Sequence, residues 1–298
     1  MTDTPYLLAI DQGTTSSRVI IFDADGKIVM MQQKELTLHY PKKGWVEQDA
    51  NDIWQDTLWC LEKVGGTLGQ DVSKIAAAGI TNQRETTVIW DRKSGEPIYN
   101  AIVWQDRRTA EHCARLKKGG HEDMICEKTG LLLDAYFSAT KIAWILEHVE
   151  GARQKAEAGE LAFGTIETFL LWKLTNGQSH MSDATNASRT MLFNIQTQEW
   201  DDELLSLFDI PRSILPDVHD NIYEFGVIDK AYFPKEIPIG GMAGDQQAAL
   251  IGQGCFSKGM VKATYGTGCF ALMNIGTTFK KSDNKLLTTP AYRLNGET

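Results

Sequence analysis

Positive charge is in short supply: 30 Lys and Arg stand against 39 Asp and Glu, a net charge of −9. That balance argues against a chain that binds nucleic acid or an anionic membrane with its whole surface, although one basic site can still hold a phosphate. Long apolar runs are also missing. None approaches the ~18 residues a membrane-spanning helix needs. The five cysteines, Cys60, Cys113, Cys126, Cys255 and Cys269, are odd in number and form no Cys-x-x-Cys pair, so reduced thiols are expected rather than a disulfide framework. The six histidines are equally scattered, which excludes a structural zinc site as far as spacing can. Met1 to Ile10 carries an acid and no basic n-region, so a secretory signal is not expected and a cytoplasmic chain is.

What is present is ordinary globular material. Apolar residues make up 42% and charged residues 23% of 298, enough for a sizeable core and a length that fits two domains or one large domain with part of another. Tyr6–Ile10, Arg18–Phe22 and Lys27–Gln32 read as strands separated by turn chemistry at 11–17 and 23–26. Asp49 or Asn51 can cap a helix carrying Ile53, Trp54, Leu58, Leu61 and Val64, with Gly65-Gly66 as its stop. Ile75–Ile80 reads as a strand, and 87–90 with 98–104 as a hairpin-like pair. From Thr109 to about Leu174 the pattern is mainly helical, and Asp201–Phe208 is another short helix. Pro211 to Pro238 holds four of the eight prolines and reads as loop. Ala248–Gly252 then forms a small-residue helix, and Met260–Met273 two strands. Strands, helices and strands again indicate an α/β fold.

Four places concentrate chemistry. Asp11-Gln-Gly-Thr-Thr-Ser-Ser-Arg18 lies between two strands, where Gly13 permits a tight turn and successive amides and hydroxyls can surround an anion. A carboxylate at Asp11 would then sit beside that anion with a hard cation such as Mg²⁺ between them. A plain Gly/Ser/Thr hairpin turn accounts for the same residues, and the Gly-Lys-Ser/Thr ending of a Walker loop is absent. Thr264-Tyr-Gly-Thr-Gly268 repeats the Gly-Thr turn near the other end of the chain, so the two turns can face each other across a cleft and hold a polyphosphate. Asp245, among Gly240, Gly241 and Gly244, is either a helix N-cap or an acid placed to accept a hydroxyl proton. Thr81-Asn-Gln-Arg-Glu-Thr86 offers donors and an acceptor suited to a polyol, or else an ordinary Arg84–Glu85 surface pair. Trp104 and Tyr136 fit an apolar wall with a hydroxyl, or core positions.

Taken together and in order, these segments resemble the FGGY carbohydrate-kinase family of the actin-like ATPase superfamily. Asp11–Arg18 is similar to its first phosphate motif, and Gly79-Ile-Thr-Asn-Gln-Arg-Glu-Thr86 to the substrate motif of its glycerol-kinase branch. Ala101–Arg108, Thr185–Phe193, Gly244–Ala249 and Thr264–Cys269 also match. The resemblance implies an actin-like (ribonuclease H-like) α/β domain, its mixed sheet flanked by helices, followed by the first strands of a second similar domain. It places an N-terminal kinase domain over 1–250 and an incomplete start of a nucleotide-binding domain over 251–298. It implies ATP-dependent phosphorylation of glycerol to sn-glycerol 3-phosphate, with Asp245 as base. Arg84, Glu85, Trp104, Tyr136 and Gln246 would hold glycerol. Thr14, Thr15, Ser16, Arg18 and Thr267 would contact ATP, and Asp11 would support Mg²⁺. Family members run well past this chain's last residue, so weak or no ATP binding by the chain alone is expected, and a homo-oligomer of the full-length enzyme is left open. A pentulose-type sugar kinase and, for the isolated chain, a non-catalytic polyol-binding module are the competing readings.

Overall fold

Residues 4–265 and 268–298 are described by a computed structural model. Its central sheet follows from period-two burial. In β1 (Tyr6–Gln12) Leu8, Ile10 and Gln12 face inward, and in β2 (Ser16–Phe22) Val19 and Ile21 do so. β3 (Ile28–Glu35) continues the antiparallel meander and is the sheet edge, with Ile28, Val29 and Met31 exposed. α1 (Ala50–Leu68) lays Ile53, Trp54, Cys60, Leu61 and Val64 on this sheet. β4 (Ile75–Asn82) then enters parallel to β1. Because successive side chains of a strand point to opposite faces, one alternating set builds the core.

β5 (Val88–Asp91) shows the same rule with both faces buried. Val88 and Trp90 belong to the core under the sheet, whereas Ile89 belongs to a second core. That second core gathers Phe137, Ile142, Ile145 and Leu146 around α2 (Ser138–His148). β6 (Leu161–Gly164) pairs antiparallel with β5 and splits its residues likewise, Ala162 to the first core and Phe163 to the second. α3 (Ile166–Leu174) is apolar on nearly every face and is buried accordingly. β7 (Ile222–Ile228) and β8 (Ile237–Gly244) complete a mixed sheet in the order β7-β8-β4-β1-β2-β3, with β8 parallel to β4. α4 (Asp245–Gly252) follows directly, and β9 (Val261–Tyr265) pairs antiparallel with β10 (Cys269–Met273). Met260, Val261, Tyr265 and Met273 are exposed there.

Three elements depart from the sequence reading. Gly65-Gly66 does not stop α1, which runs to Leu68 and ends at Gly69 in a positive-φ conformation. Gly65 is a contact position instead: a Cβ there would lie 3.2 Å from both Phe233 and Pro234. The pair 87–90 and 98–104 does meet, through the antiparallel Thr87–Ile102 bridge and the Ile98 amide donating to the Ile89 carbonyl, but the continuous ladder of β5 is with β6, which the sequence reading did not include. The proline-rich 211–238 segment contains β7, whose prolines flank the strand rather than interrupt it.

Ile10 is fully buried at the centre of β1. Ile10→Ala is expected to lower stability by about 2–5 kcal/mol, seen as a lower urea midpoint at unchanged slope.

Candidate functional site

Sheet register brings the chemistry together. Gln12, Asn82 and Gly244 are paired neighbours at the carboxyl ends of the three parallel strands β1, β4 and β8. The turn after Gln12, the loop after Asn82 and the carboxylate of Asp245 therefore leave the sheet from one edge, where α/β folds place their ligands.

Arg84 and Asp245 meet there. Arg84 Nε lies 3.2 Å from Asp245 Oδ1 and 4.0 Å from Glu85 Oε1, and its Nη1 donates to Gln247 Oε1 at 3.1 Å. Arg84 and Glu85 are 5% and 1% exposed, which removes the surface-pair alternative. The Tyr136 side chain also lies close enough to favour the Arg84 charge. On the far side of Glu85, Arg189 Nε donates to Oε1 at 2.7 Å, and the Arg189 guanidinium lies 5.0 Å from the Phe137 ring centre. Gly244 makes the approach feasible. A Cβ at that position would sit 2.6 Å from Arg84 Cδ.

Asp245 is the first residue of α4, and Gly244 occupies the cap position. The carboxylate still accepts from the Gln246 amide at 2.7 Å, so it combines a local helix-end bond with the pairing to Arg84. Burial pushes its pKa up and the Arg84 charge opposes this. Gln246 accepts from Lys262 of β9 through its side-chain oxygen. Tyr136 is largely enclosed, and burial holds its phenol well above the usual range. Trp104 stands edge-on to Tyr136 at 5.5 Å and to Phe270 at 6.2 Å, and Phe270 faces the Arg84 guanidinium at 5.9 Å. The result is a set of hydroxyl-pairing groups beside an aromatic wall.

The turn after β1 is tied to this set by glutamines. Gln83 Nε2 donates to Gln12 Oε1 at 3.1 Å and to Gln48 Oε1 at 2.8 Å, and Gln48 Nε2 donates to the Thr14 carbonyl at 2.8 Å. Trp104 Nε1 donates to Thr14 Oγ1 at 2.9 Å. Thr15 is exposed and Ser16 buried. Asp11 and Arg18 are cross-strand partners with Oδ2 and Nη1 3.5 Å apart, and burial raises the Asp11 pKa against the pull of Arg18. Ser17 Oγ and Arg18 Nε are buried and without a hydrogen-bond partner. Thr267 lies outside the described residues. The second hairpin nonetheless reaches the first through Phe270 and Trp104 to Thr14.

Composition did not single out Phe270, Gln247, Arg189 or Lys262. Arg189 lay inside the Thr185–Phe193 match and Phe270 one residue past the last, so their ordered segments were the available signal. A buried polar layer also underlies the site. Glu167 Oε2 accepts from Asn82 Nδ2 at 2.8 Å, while its Oε1 accepts from Thr165, Thr168 and Ser182. Asp183 accepts from Asn186 and Asn221 and from Thr185, whose hydroxyl receives the Gly244 amide at 3.0 Å. Burial with the Asp183 charge nearby pushes Glu167 up to about 7. A hollow of about 770 Å³ lies elsewhere between Gln196, Phe256, Met273 and 288–298, and none of Arg84, Glu85, Trp104, Tyr136, Asp245 and Gln246 lines it.

Residues 6–252 match the N-terminal domain of the FGGY family of carbohydrate kinases. The chain is 62% identical over 297 residues to a glycerol kinase of Nitrosomonas eutropha, covering 100% of this chain and 60% of that protein. It is 60% identical to glycerol kinase 1 of Pseudomonas aeruginosa, covering 98% and 59%. Plasmodium falciparum glycerol kinase, solved with ADP, superposes with a TM-score of 0.94 at 38% identity, covering 97% and 58%. A xylulose kinase of Lactobacillus acidophilus shares the fold, with a TM-score of 0.80 at 22% identity over 89% of this chain and 53% of that one. The chain thus spans about 60% of the length of the curated relatives it matches.

Gly244→Ala is expected to displace the pinned Arg84 stem and to cost about 1–3 kcal/mol, measured by thermal or urea unfolding. For Glu167 the folded pKa lies above the unfolded one, so the folded chain holds its proton more tightly and stability falls as pH rises from about 4.5 to 7. Glu167→Gln is expected to flatten that part of the unfolding-versus-pH curve.

Proposed function

The chain belongs to the FGGY family of carbohydrate kinases, and from that premise we propose that it carries the polyol-gripping and base-supplying part of an ATP-dependent glycerol kinase. The observation that carries this reading is the buried Arg84 held between Glu85 and Asp245 against Trp104, Tyr136 and Phe270. A neutral triol offers no charge to grip. Discrimination must come from hydroxyls that both donate and accept, and a missing partner leaves a buried polar group unpaired. Carboxylates at Glu85 and Asp245 accept, while Arg84 donates and Tyr136 can do either. The carbon chain lies against the rings.

In the proposed reaction Asp245 takes the proton of the hydroxyl that attacks the terminal phosphorus of ATP, yielding sn-glycerol 3-phosphate and ADP. Burial that raises its pKa makes it a better base, and Arg84 keeps it ionised and aimed. The rest is alignment and charge neutralisation, which is most of what phosphoryl transfer asks of a protein. Thr14, Thr15, Ser16 and Arg18 are assigned to the phosphates, with Thr267 from the second hairpin. Arg18, partly exposed beside Asp11 and with its Nε lacking a hydrogen-bond partner among the described residues, supports an anion there. A lone carboxylate at Asp11 also suits Mg²⁺, which is usually held by one or two carboxylates and the substrate phosphates. When bound, the ion neutralises phosphate charge. We further assign residues 1–250 to the kinase domain and 251–298 to the beginning of a nucleotide-binding domain, a boundary supported by the family match ending at 252. Among the described residues no helix is long and apolar enough to cross a membrane, and we place the protein in the cytoplasm.

Two measurements test this. Calorimetric titration of the chain with glycerol and with a pentulose should give heat for glycerol alone; the opposite result rejects the substrate. ATP consumption is then followed for the chain completed with the C-terminal length of its Nitrosomonas eutropha relative. Asp245→Asn should cut glycerol-dependent turnover by ~10²–10⁴ while glycerol still binds, and wild-type turnover should climb with pH as the Asp245 carboxyl ionises. Turnover unchanged in Asp245→Asn removes it as the base.

A further inference from the structure

Lys141 is fully buried in the first turn of α2, beneath the proposed polyol site. Its Nζ donates to the main-chain carbonyls of Tyr136, of Phe137 at 3.3 Å and of Glu85 at 3.4 Å. All three acceptors are peptide carbonyls rather than carboxylates. Burying an ammonium is costly, and it persists only where its bonds repay that cost. A lysine that merely filled space here would be inferior to a methionine.

The carbonyls it gathers come from two separated loops. Glu85 has a φ of +65°, a left-handed conformation that a non-glycine residue keeps only when its surroundings enforce it. Its carbonyl also accepts from Ser138 Oγ at 3.1 Å and Thr87 Oγ1 at 3.2 Å. Tyr136 lies in the loop entering α2 and presents its ring to Trp104. Lys141 is therefore the single side chain seen to bond the backbone of both Glu85 and Tyr136 among the described residues.

We propose that Lys141 is a positioning residue whose ammonium clamps the Glu85 and Tyr136 loops to each other and so sets the width of the polyol site. This rests on the polyol reading of those two residues. Lys141 does not touch the substrate; it acts through the backbone that aims Glu85 and Tyr136. The groups facing it are Glu85, Asp106, Asp134 and Cys113, which favour the charged form, while burial outweighs them and pulls it down to about 8. Arg84 and Arg189 lie beyond Glu85. Cys113 is pushed up to about 11 and Tyr136 is held above its usual range, so neither titrates between about pH 7 and 9.5. Lys262, lowered by burial, faces Asp245 and Gln246, and its contribution is removed by taking the difference between wild type and variant.

Hydrogen exchange of the 298-residue chain reads the clamp without any ligand, and glycerol calorimetry reads the site. In Lys141→Met, amides of 84–87 and 135–138 should lose ~10-fold or more of their protection, with β1 and β4 unchanged and glycerol affinity reduced by a similar factor. In Lys141→Ala, added ethylammonium should restore protection and affinity, and ethanol should not. Wild-type protection factors at 84–87 should fall with a midpoint near pH 8, a measurement that stands even if a variant does not fold. Wild-type protection in Lys141→Met, or a flat wild-type profile, overturns the proposal. Loss of protection in a chain that takes up no glycerol in its wild-type form would instead sustain the clamp and sink the polyol reading.

Discussion

A guanidinium shut away from water has to be answered by acceptors, and the arrangement around Arg84 is the constraint from which the rest of the site follows. Its charge is shared between Asp245 at 3.2 Å and Glu85 at 4.0 Å, with Gln247 taking a further donor. Removing one partner of such a group leaves a buried charge uncompensated, which costs far more than the pair contributes. Glu85 is in turn shared with Arg189. Cations and carboxylates therefore alternate through the pocket. A ligand that brought its own charge would upset that alternation, whereas an uncharged polyol exchanges hydrogen bonds and leaves it intact.

Backbone geometry makes this packing of charge feasible. Register places Gln12, Asn82 and Gly244 in one row across β1, β4 and β8, so groups distant in sequence emerge side by side. Gly244 removes the Cβ that would strike Arg84. Beneath, Glu167 holds Asn82 and Asp183 holds the hydroxyl that receives the Gly244 amide. The two acids thus fix the ends of the two strands that deliver Arg84 and Asp245. These bonds brace the strand ends from below, although Asn82 Oδ1 and Thr81 Oγ1 have no hydrogen-bond partner among the described residues, and bracing is what a site that discriminates by hydroxyl pairing requires.

The motifs were legible because each joins a turn residue to a polar cluster at a strand end: Gly13 with Thr14, Arg84 with Glu85, Gly244 with Asp245. The strand pair within Met260–Met273 was equally plain, and of the two caps the sequence offered for α1, Asp49 and Asn51, the structure uses Asp49. What could not be read were choices made by tertiary contact. Gly65 looks like a helix stop in isolation, and only the presence of Phe233 and Pro234 shows why the helix passes through it. β5 bridges its sequence neighbour at Thr87–Ile102 but forms its continuous ladder with β6, some seventy residues on, a pairing that nothing in the local sequence marks. Phe270 and Arg189 carry no local pattern. Their part in the site exists only once Trp104, Tyr136 and Glu85 are beside them.

The last hairpin joins the two ends of this logic. Phe270 on β10 faces both Arg84 and Trp104, and Lys262 on β9 bonds Gln246 next to Asp245. Trp104 passes the contact on to Thr14, the turn assigned to phosphate. β9 and β10 thus touch both the aromatic wall and the neighbour of Asp245. Arg84 and Glu85 are buried and braced from below, whereas Thr15 and much of the last hairpin are exposed. Under the proposed assignments, a braced polyol cradle beside a more exposed phosphate turn suits a transfer in which the small alcohol is held in place while the phosphoryl group approaches it.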